Sequence, residues 1–208
     1  MSALSATHTS TTLSQDNTGS GGKTLGIVMN GGNNYLATSV NGAPGTFSYN
    51  FLAGFTFEIV VNISAATQYP LLIGIGQSGW GTSFSTGMVL NMNNLKPYVY
   101  TTGPNYFNNQ EVATNRFYHL VVSVSSSGSA TFYMNNQPAG TATGIPLPSS
   151  PVSGGILGMG YVFSNGAVPL IKGTIAQVRV YQGGLTSTQI SQNYNTIKNL
   201  SGNPYGLP

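Results

Sequence analysis

From Leu25 onward the chain is a succession of short apolar runs, each cut off by a cluster of Gly, Asn or Pro. Residues 24–29 run into the turn formers Asn30, Gly31, Gly32, Asn33 and Asn34, and residues 35–38 follow. Phe55, Phe57, Ile59, Val61 and Ile63 then alternate with Thr56, Glu58, Val60 and Asn62. That two-residue period is the mark of a half-buried strand. Residues 71–75, 88–92 and 97–100 continue the series, and residues 119–124 and 130–134 flank Ser126-Ser127-Gly128 as a hairpin. Residues 155–159 and 174–181 complete it. Many short strands at regular spacing predict an all-β chain folded as a β-sandwich or jelly roll.

One stretch departs from this period. Thr186-Ser187-Thr188-Gln189 has the capping-box pattern, with Thr186 as N-cap and Gln189 reaching back. Leu185 and Ile190 stand where a hydrophobic staple closes, and Ile190, Tyr194 and Ile197 line one side of a short helix ended by Gly202-Asn203-Pro204.

At 208 residues the chain suits one domain. Residues 1–22, rich in Ser, Thr and Gly, read as a polar N-terminal arm, residues 23–200 as the folded domain and residues 201–208 as a tail. The N-terminus has neither a basic region nor an apolar stretch of signal-peptide type. The expectation is therefore a chain not secreted by that route, or one whose leader has been removed. No apolar run approaches the roughly 20 residues that span a bilayer. With no Cys there is no disulfide framework, thiol nucleophile or thiolate metal site.

Charge is the compositional anomaly. Only 4% of residues are charged, against roughly 25% in ordinary soluble domains. Lys23, Lys96, Arg116, Lys172, Arg179 and Lys198 are too scattered to neutralise adjacent phosphates, so nucleic-acid binding is excluded. A surface this poor in ions relies on hydroxyls and amides that do not titrate. Two explanations fit: exposure to acid or varying pH, as on an extracellular or virion surface, and burial of most of the surface against copies of the same chain.

Three stretches resemble the laminin-G-like, concanavalin A-like jelly roll of lectins and glucanases. Phe55-Thr56-Phe57-Glu58-Ile59 is similar to that family's early core strand. Phe117-Tyr118-His119-Leu120-Val121-Val122 followed by Phe132-Tyr133-Met134-Asn135-Asn136 resembles its Trp-x-His strand and the hairpin ending in Asn-Gly. Gly173-Thr174-Ile175-Ala176-Gln177-Val178-Arg179-Val180-Tyr181, with Leu185-Thr186 and the helix, resembles its C-terminal strand. The resemblance covers about residues 24 to 200 and implies a two-sheet antiparallel jelly-roll sandwich with one short C-terminal helix. It also has departures. Phe117 replaces the usual Trp and is expected to fill a core slot, and Asn136 replaces a Gly at a position where Asn tolerates positive φ. The family's calcium sites need several carboxylates, and this chain has three acidic residues, so no metal and no cofactor are expected.

The glucanase branch needs two carboxyl groups about 5–5.5 Å apart. The only candidate pair is Glu58 with Glu111. Glu58 points away from its strand's apolar face, and a surface or cross-strand ion pair with Arg179 or Lys172 is the simpler reading. His119 has no acidic neighbour in sequence to orient it, reads as a packed strand residue, and gives no triad. The chain is therefore expected not to be an enzyme. Asn62-Ile63-Ser64 and Asn199-Leu200-Ser201 match the glycosylation pattern, as a chain rich in Asn and Ser does by chance.

Two functions remain. The first is a non-enzymatic structural subunit of an extracellular or viral assembly (a virion coat, decoration or surface-lattice protein). Its partners would be copies of itself and other coat proteins, and Ser2, Leu4, Thr12 and Leu13 of the arm would tie subunits together. The alternative is a lectin-like module for host or cell-surface glycans, with Trp80, Tyr98, Tyr100, Tyr106 and Asn108 as the stacking and amide groups. Tyr98 and Tyr100 have packing as their competing role, and Trp80 has a loop or subunit anchor.

Overall fold

A computed structural model of the chain describes residues 26–30, 36–37, 39–40, 43–44, 47–66, 71–76, 86–90, 95–100, 104–106, 110–159, 171–200 and 202–208. In chain order the strands are β1 (Ile27–Asn30), β2 (Leu36–Ala37), β3 (Ser39–Val40), β4 (Ala43–Pro44), β5 (Phe47–Tyr49), β6 (Gly54–Ala66), β7 (Leu71–Gly76) and β8 (Thr86–Leu90). They continue as β9 (Pro97–Tyr100), β10 (Pro104–Tyr106), β11 (Phe117–Ser125), β12 (Ala130–Met134), β13 (Gln137–Ala142), β14 (Val152–Met159) and β15 (Ile171–Gln182), and the chain then forms helix α1 (Ser187–Lys198). Among the described residues one antiparallel sheet has six strands in the order β1-β15-β6-β11-β12-β13. The second runs β10-β9-β8-β7-β14-β2, with β5 added on β14, and β3 pairs β4 separately. The expected sandwich with one short C-terminal helix is what forms.

The interior follows from the period of β6. Phe55, Phe57, Ile59, Val61 and Ile63 all face the space between the sheets, where they meet Leu72, Ile73 and Ile75 of β7, Met88 of β8 and Val99 of β9. From β11 come Tyr118, Leu120, Val122 and Val124. Phe55 stacks between Phe51 and Phe57 at centroid distances of 5.0 and 5.1 Å. β6 begins at Gly54, whose φ of +91° and approach to the Val124 carbonyl leave no room for a side chain, since a Cβ would lie 2.0 Å from that oxygen.

Three local expectations need restating. β6 is not half-buried: Thr56, Glu58 and Val60 on its other face are as buried as its apolar row. Phe117 is not in the inter-sheet core. It lies on the outer face against Tyr205, with ring centroids 5.2 Å apart, and the core aromatic beside it is Tyr118. The 88–92 run begins earlier than its apolar residues suggest, because Thr86 and Gly87 already pair with β7 and β9. The β12–β13 turn is as expected: Met134 pairs with Gln137 across a two-residue loop in which Asn135 and Asn136 have φ of 50° and 66°. Both central residues at positive φ is the condition for a tight hairpin matching strand twist.

Helix α1 has the predicted cap, with Gln189 N–H donating to Thr186 Oγ1 and Thr186 N–H donating to Gln189 Oε1. Ile190, Tyr194 and Ile197 are buried on one side, and Leu185 packs into the same cluster as Ile190. The segment after the helix folds back onto the sheet. Leu207 is buried with Val60, Tyr194 and Ile197, and the Tyr194 hydroxyl donates to the Pro208 carbonyl oxygen.

Candidate functional site

The outer face of the six-stranded sheet carries the densest polar chemistry in the described residues, and a register shift builds it. Along β15, Ile175 faces the core opposite Val61, and Gln177 pairs with Val60, so Ala176 is an extra residue. A bulge of this kind reverses which face each following residue takes. Val178 and Val180 thereby pack on the core, while Arg179 and Tyr181, opposite Glu58 and Thr56, are brought to the outer face. Were Ala176 paired in the ladder instead of bulged, strict alternation from Ile175 would send Arg179 into the apolar interior.

Glu58 is 2% exposed and all its oxygen positions are engaged. Oε1 accepts from His119 Nε2 at 2.8 Å and from Arg179 Nη1 at 3.2 Å. Oε2 accepts from the Tyr181 hydroxyl at 2.8 Å and from Asn193 Nδ2 at 2.8 Å. The four partners come from β11, β15 and α1. Burial alone would raise the carboxyl's pKa. The His119 hydrogen bond and charge, the Arg179 charge and the Tyr181 hydrogen bond outweigh it and hold Glu58 below its ordinary value. Tyr181 is pushed the other way, to about 12, by burial first and then by the adjacent carboxylate.

The rest of this face continues the arrangement along the chain. Thr56 Oγ1 donates to the Gly183 carbonyl and accepts from Leu185 N–H, and Ser123 Oγ donates to the Leu185 carbonyl. Gly184 is the close approach there, since a Cβ would lie 2.8 Å from the Val124 oxygen. Next come Glu58 with Asn193, then Val60 with Tyr194, Ile197 and Leu207, then Phe117 with Tyr205. The outward residues of β6 and β11 thus meet residues 183–200 and 202–207 along the length of the sheet. Ser191 Oγ adds a bond to Asn136 Oδ1 of the β12–β13 turn.

This arrangement is suited to holding a helix on a sheet. A nucleophile or general base needs a free lone pair facing substrate, and Glu58 has none. Glu111, its candidate partner for glycoside cleavage, is exposed ahead of β11 and is not among its hydrogen-bond partners. Of the two cations expected near Glu58, Arg179 is there, and Lys172 is exposed at the position paired with Asn30 and Ala65. The pair is cross-strand as expected, with Glu58 buried and Arg179 half-buried. His119 is packed, fully buried, and bonded to the carboxylate that the linear sequence placed 61 residues away. Tyr181 and Asn193 were not anticipated. The one sequence signal for Tyr181 is the break in apolar alternation between Ile175 and Val178.

Among the residues proposed for sugar contact, Tyr98 is 4% exposed and belongs to the inter-sheet core, the packing role that competed with stacking. Tyr100 closes β9 and Tyr106 closes β10, where Tyr106 pairs with Tyr98. Trp80, Asn108 and the arm residues Ser2, Leu4, Thr12 and Leu13 lie outside the described residues. Of the two glycosylation-type asparagines, Asn62 is mid-strand between β11 and β15, whereas Asn199 is exposed at the helix C-cap.

Residues 30–191 match the laminin-G-like family described as the concanavalin A-like lectin/glucanases superfamily. No curated protein sequence matches the chain. Three solved structures show the same fold at low identity. Domain 4 of AbnA, a GH43 extracellular arabinanase from Geobacillus stearothermophilus solved with arabinotriose, is 17% identical and superposes with a TM-score of 0.62 over 88% of this chain and 81% of that one. The native heptameric SAP-like pentraxin of Limulus polyphemus is 16% identical, with a TM-score of 0.55 over 74% of this chain and 76% of that one. The Trypanosoma rangeli sialidase is 18% identical, with a TM-score of 0.56 over 81% of this chain but only 27% of that one. The chain thus spans about a quarter of the sialidase.

Proposed function

We propose, on the premise that the chain belongs to the laminin-G-like family of the concanavalin A-like lectin/glucanase superfamily, that it is a non-catalytic carbohydrate-recognition module. The observation that carries this reading is the near-complete fold match to an arabinanase domain solved with arabinotriose. The sealed state of Glu58 supports recognition without cleavage. Because residues 183–207 occupy the outer face of the six-stranded sheet, recognition falls to the other sheet and the loops at its rim. Trp80, Tyr100, Tyr106 and Asn108 are the contact residues we assign. Tyr98, buried in the core, is left out of this set.

A glycan array that includes arabino-oligosaccharides tests this. Binding should fall about tenfold or more, the equivalent of 1.4 kcal/mol, on Trp80→Ala. Absence of binding across the array overturns the module, and unchanged binding by the Trp80 variant overturns the site.

A second reading is a structural subunit on a virion or extracellular surface, in contact with its own copies and other coat proteins. It is favoured by the 4% charge content, which leaves little repulsion between packed copies, and by the heptameric state of the similar pentraxin. No helix among the described residues is long and apolar enough to cross a membrane. Light scattering coupled to size exclusion separates the readings. Large defined assemblies that vanish on deletion of residues 1–22 support the subunit, and monomers at high concentration for both chains overturn it.

A further inference from the structure

The C-terminal segment is fastened to the sheet quite differently from the strands beneath it. β6 is joined to β11 and β15 by backbone ladders along its length. Helix α1 and residues 202–208 contribute no strand to either sheet. They are held by side chains only: Ile190 against Val121 and Tyr133, Tyr194, Ile197 and Leu207 against Val60, Ser191 on Asn136, and Asn193 on Glu58. None of these helix residues belongs to the large inter-sheet core.

Among the described residues Glu58 is the one acidic side chain under this segment. The groups facing it are His119 from β11, Arg179 and Tyr181 from β15, and Asn193 from α1. Around that set, the Tyr194 ring lies 5.5 Å from the His119 ring, and Lys198 sits 5.9 Å from the centre of the Tyr194 ring. The first turn of α1 has no acidic residue and its last turn has Lys198, so the helix brings no carboxylate to replace Glu58. Among the described residues the only other side-chain carboxylate is the exposed Glu111.

We propose that Glu58 is an acid-sensitive latch: its protonation frees α1 and residues 202–208 from the outer face while the two-sheet sandwich stays folded. The neutral carboxyl no longer compensates the basic side chains of His119 and Arg179, and it loses the charge-assisted strength of its bonds to Tyr181 and Asn193. The strain is relieved at the least cost by the partner without a backbone ladder, which is the helix. The opening unit starts after Leu185, because Thr56 and Ser123 hold the backbone at Gly183 and Leu185 with groups that do not titrate. Opening uncovers the apolar strip of Val60, Phe117, Val121 and Tyr133. Local opening of a peripheral unit below global unfolding is common where tertiary contacts are few.

Hydrogen exchange read by mass spectrometry on the full chain tests this at pH 7 and pH 3, with rates normalised to intrinsic exchange at each pH, because a carboxyl held below its ordinary value protonates only beneath the usual carboxylate range. Amides of residues 190–200 should exchange several-fold faster at pH 3, while those of β6 and β11 keep their protection. Glu58→Gln, neutral at both values, should give the fast helix at pH 7 and abolish the pH difference. Should that variant not fold, Asn193→Ala removes the helix's bonds to the Glu58 carboxylate and the Tyr181 hydroxyl and should loosen α1 at pH 7 with β6 and β11 unaffected. A helix equally protected at both pH values overturns the latch, as does loss of helix and sandwich protection together, or an unaltered helix in Asn193→Ala.

Discussion

On its inner face β6 presents Phe55, Phe57, Ile59, Val61 and Ile63 to a continuous apolar interior shared by both sheets. On its outer face the same strand presents Thr56, Glu58 and Val60, equally buried, to a segment that arrives more than a hundred residues later. The inner row is held by area and close packing, contributions that do not depend on pH and are shared among many neighbours. The outer row is held at Val60 by apolar contact with the docked segment, but at Thr56 and Glu58 by named donor–acceptor pairs and a buried carboxylate. Equal burial therefore does not mean equal robustness. Losing Thr56 or Glu58 leaves its partners unsatisfied, whereas the inner row loses contact area and gains a cavity.

The largest expected effects set the two faces side by side. Phe57→Ala should cost about 3–5 kcal/mol by cavity formation, and Glu58→Ala about 3–5 kcal/mol by stranding buried basic groups. Urea unfolding at pH 7 and at pH 3 distinguishes them. Because the folded Glu58 lies below its ordinary value, its contribution is present above the unfolded carboxylate range and is lost as pH falls through the folded value. The Glu58→Ala deficit should thus shrink in acid and the Phe57→Ala deficit should not. Equal deficits at both pH values would dissolve the contrast between the faces.

Tyr181→Phe should come next, at about 1.5–3 kcal/mol for a hydrogen bond to a charged group. With Tyr181 raised to about 12, its contribution holds below the unfolded tyrosine range and is lost as pH rises towards 12. The variant's alkaline unfolding curve should be flatter than the parent's over that span. The smallest effect is at the helix start. Thr186→Ala should cost about 1 kcal/mol and raise exchange in the first turn of α1 only. A loss spread over the whole outer face would mean that the cap, rather than the docking contacts, organises this segment.

The inner face was legible from sequence because alternation with period two is a local property: Phe55 through Ile63 declare a strand and its apolar side without reference to any partner. The capping box at Thr186 and Gln189 is local in the same way, and so are the positive φ angles at Asn135 and Asn136. The outer face was not legible. Nothing near Glu58 in sequence indicates His119, Tyr181 or Asn193, and alternation read Thr56, Glu58 and Asn62 as facing solvent. Phe117 was misplaced for a related reason, since an aromatic beside Tyr118 must lie on one face or the other and only the docked Tyr205 makes the outer face apolar there. The assigned sugar-contact loops follow composition, and only Tyr98 among their aromatics has its ring accounted for, by the core.

By itself the sequence determined the all-β class, the sandwich, the helix with its cap, and the inner row of the core, because each follows from periodicity and turn chemistry within a few residues. The tertiary structure alone decided which carboxylate is buried, which groups neutralise it, and that a bulge at Ala176 turns Arg179 and Tyr181 outward to meet it. A register shift and a helix folded back on a sheet join residues distant in sequence, and no local pattern specifies such a meeting.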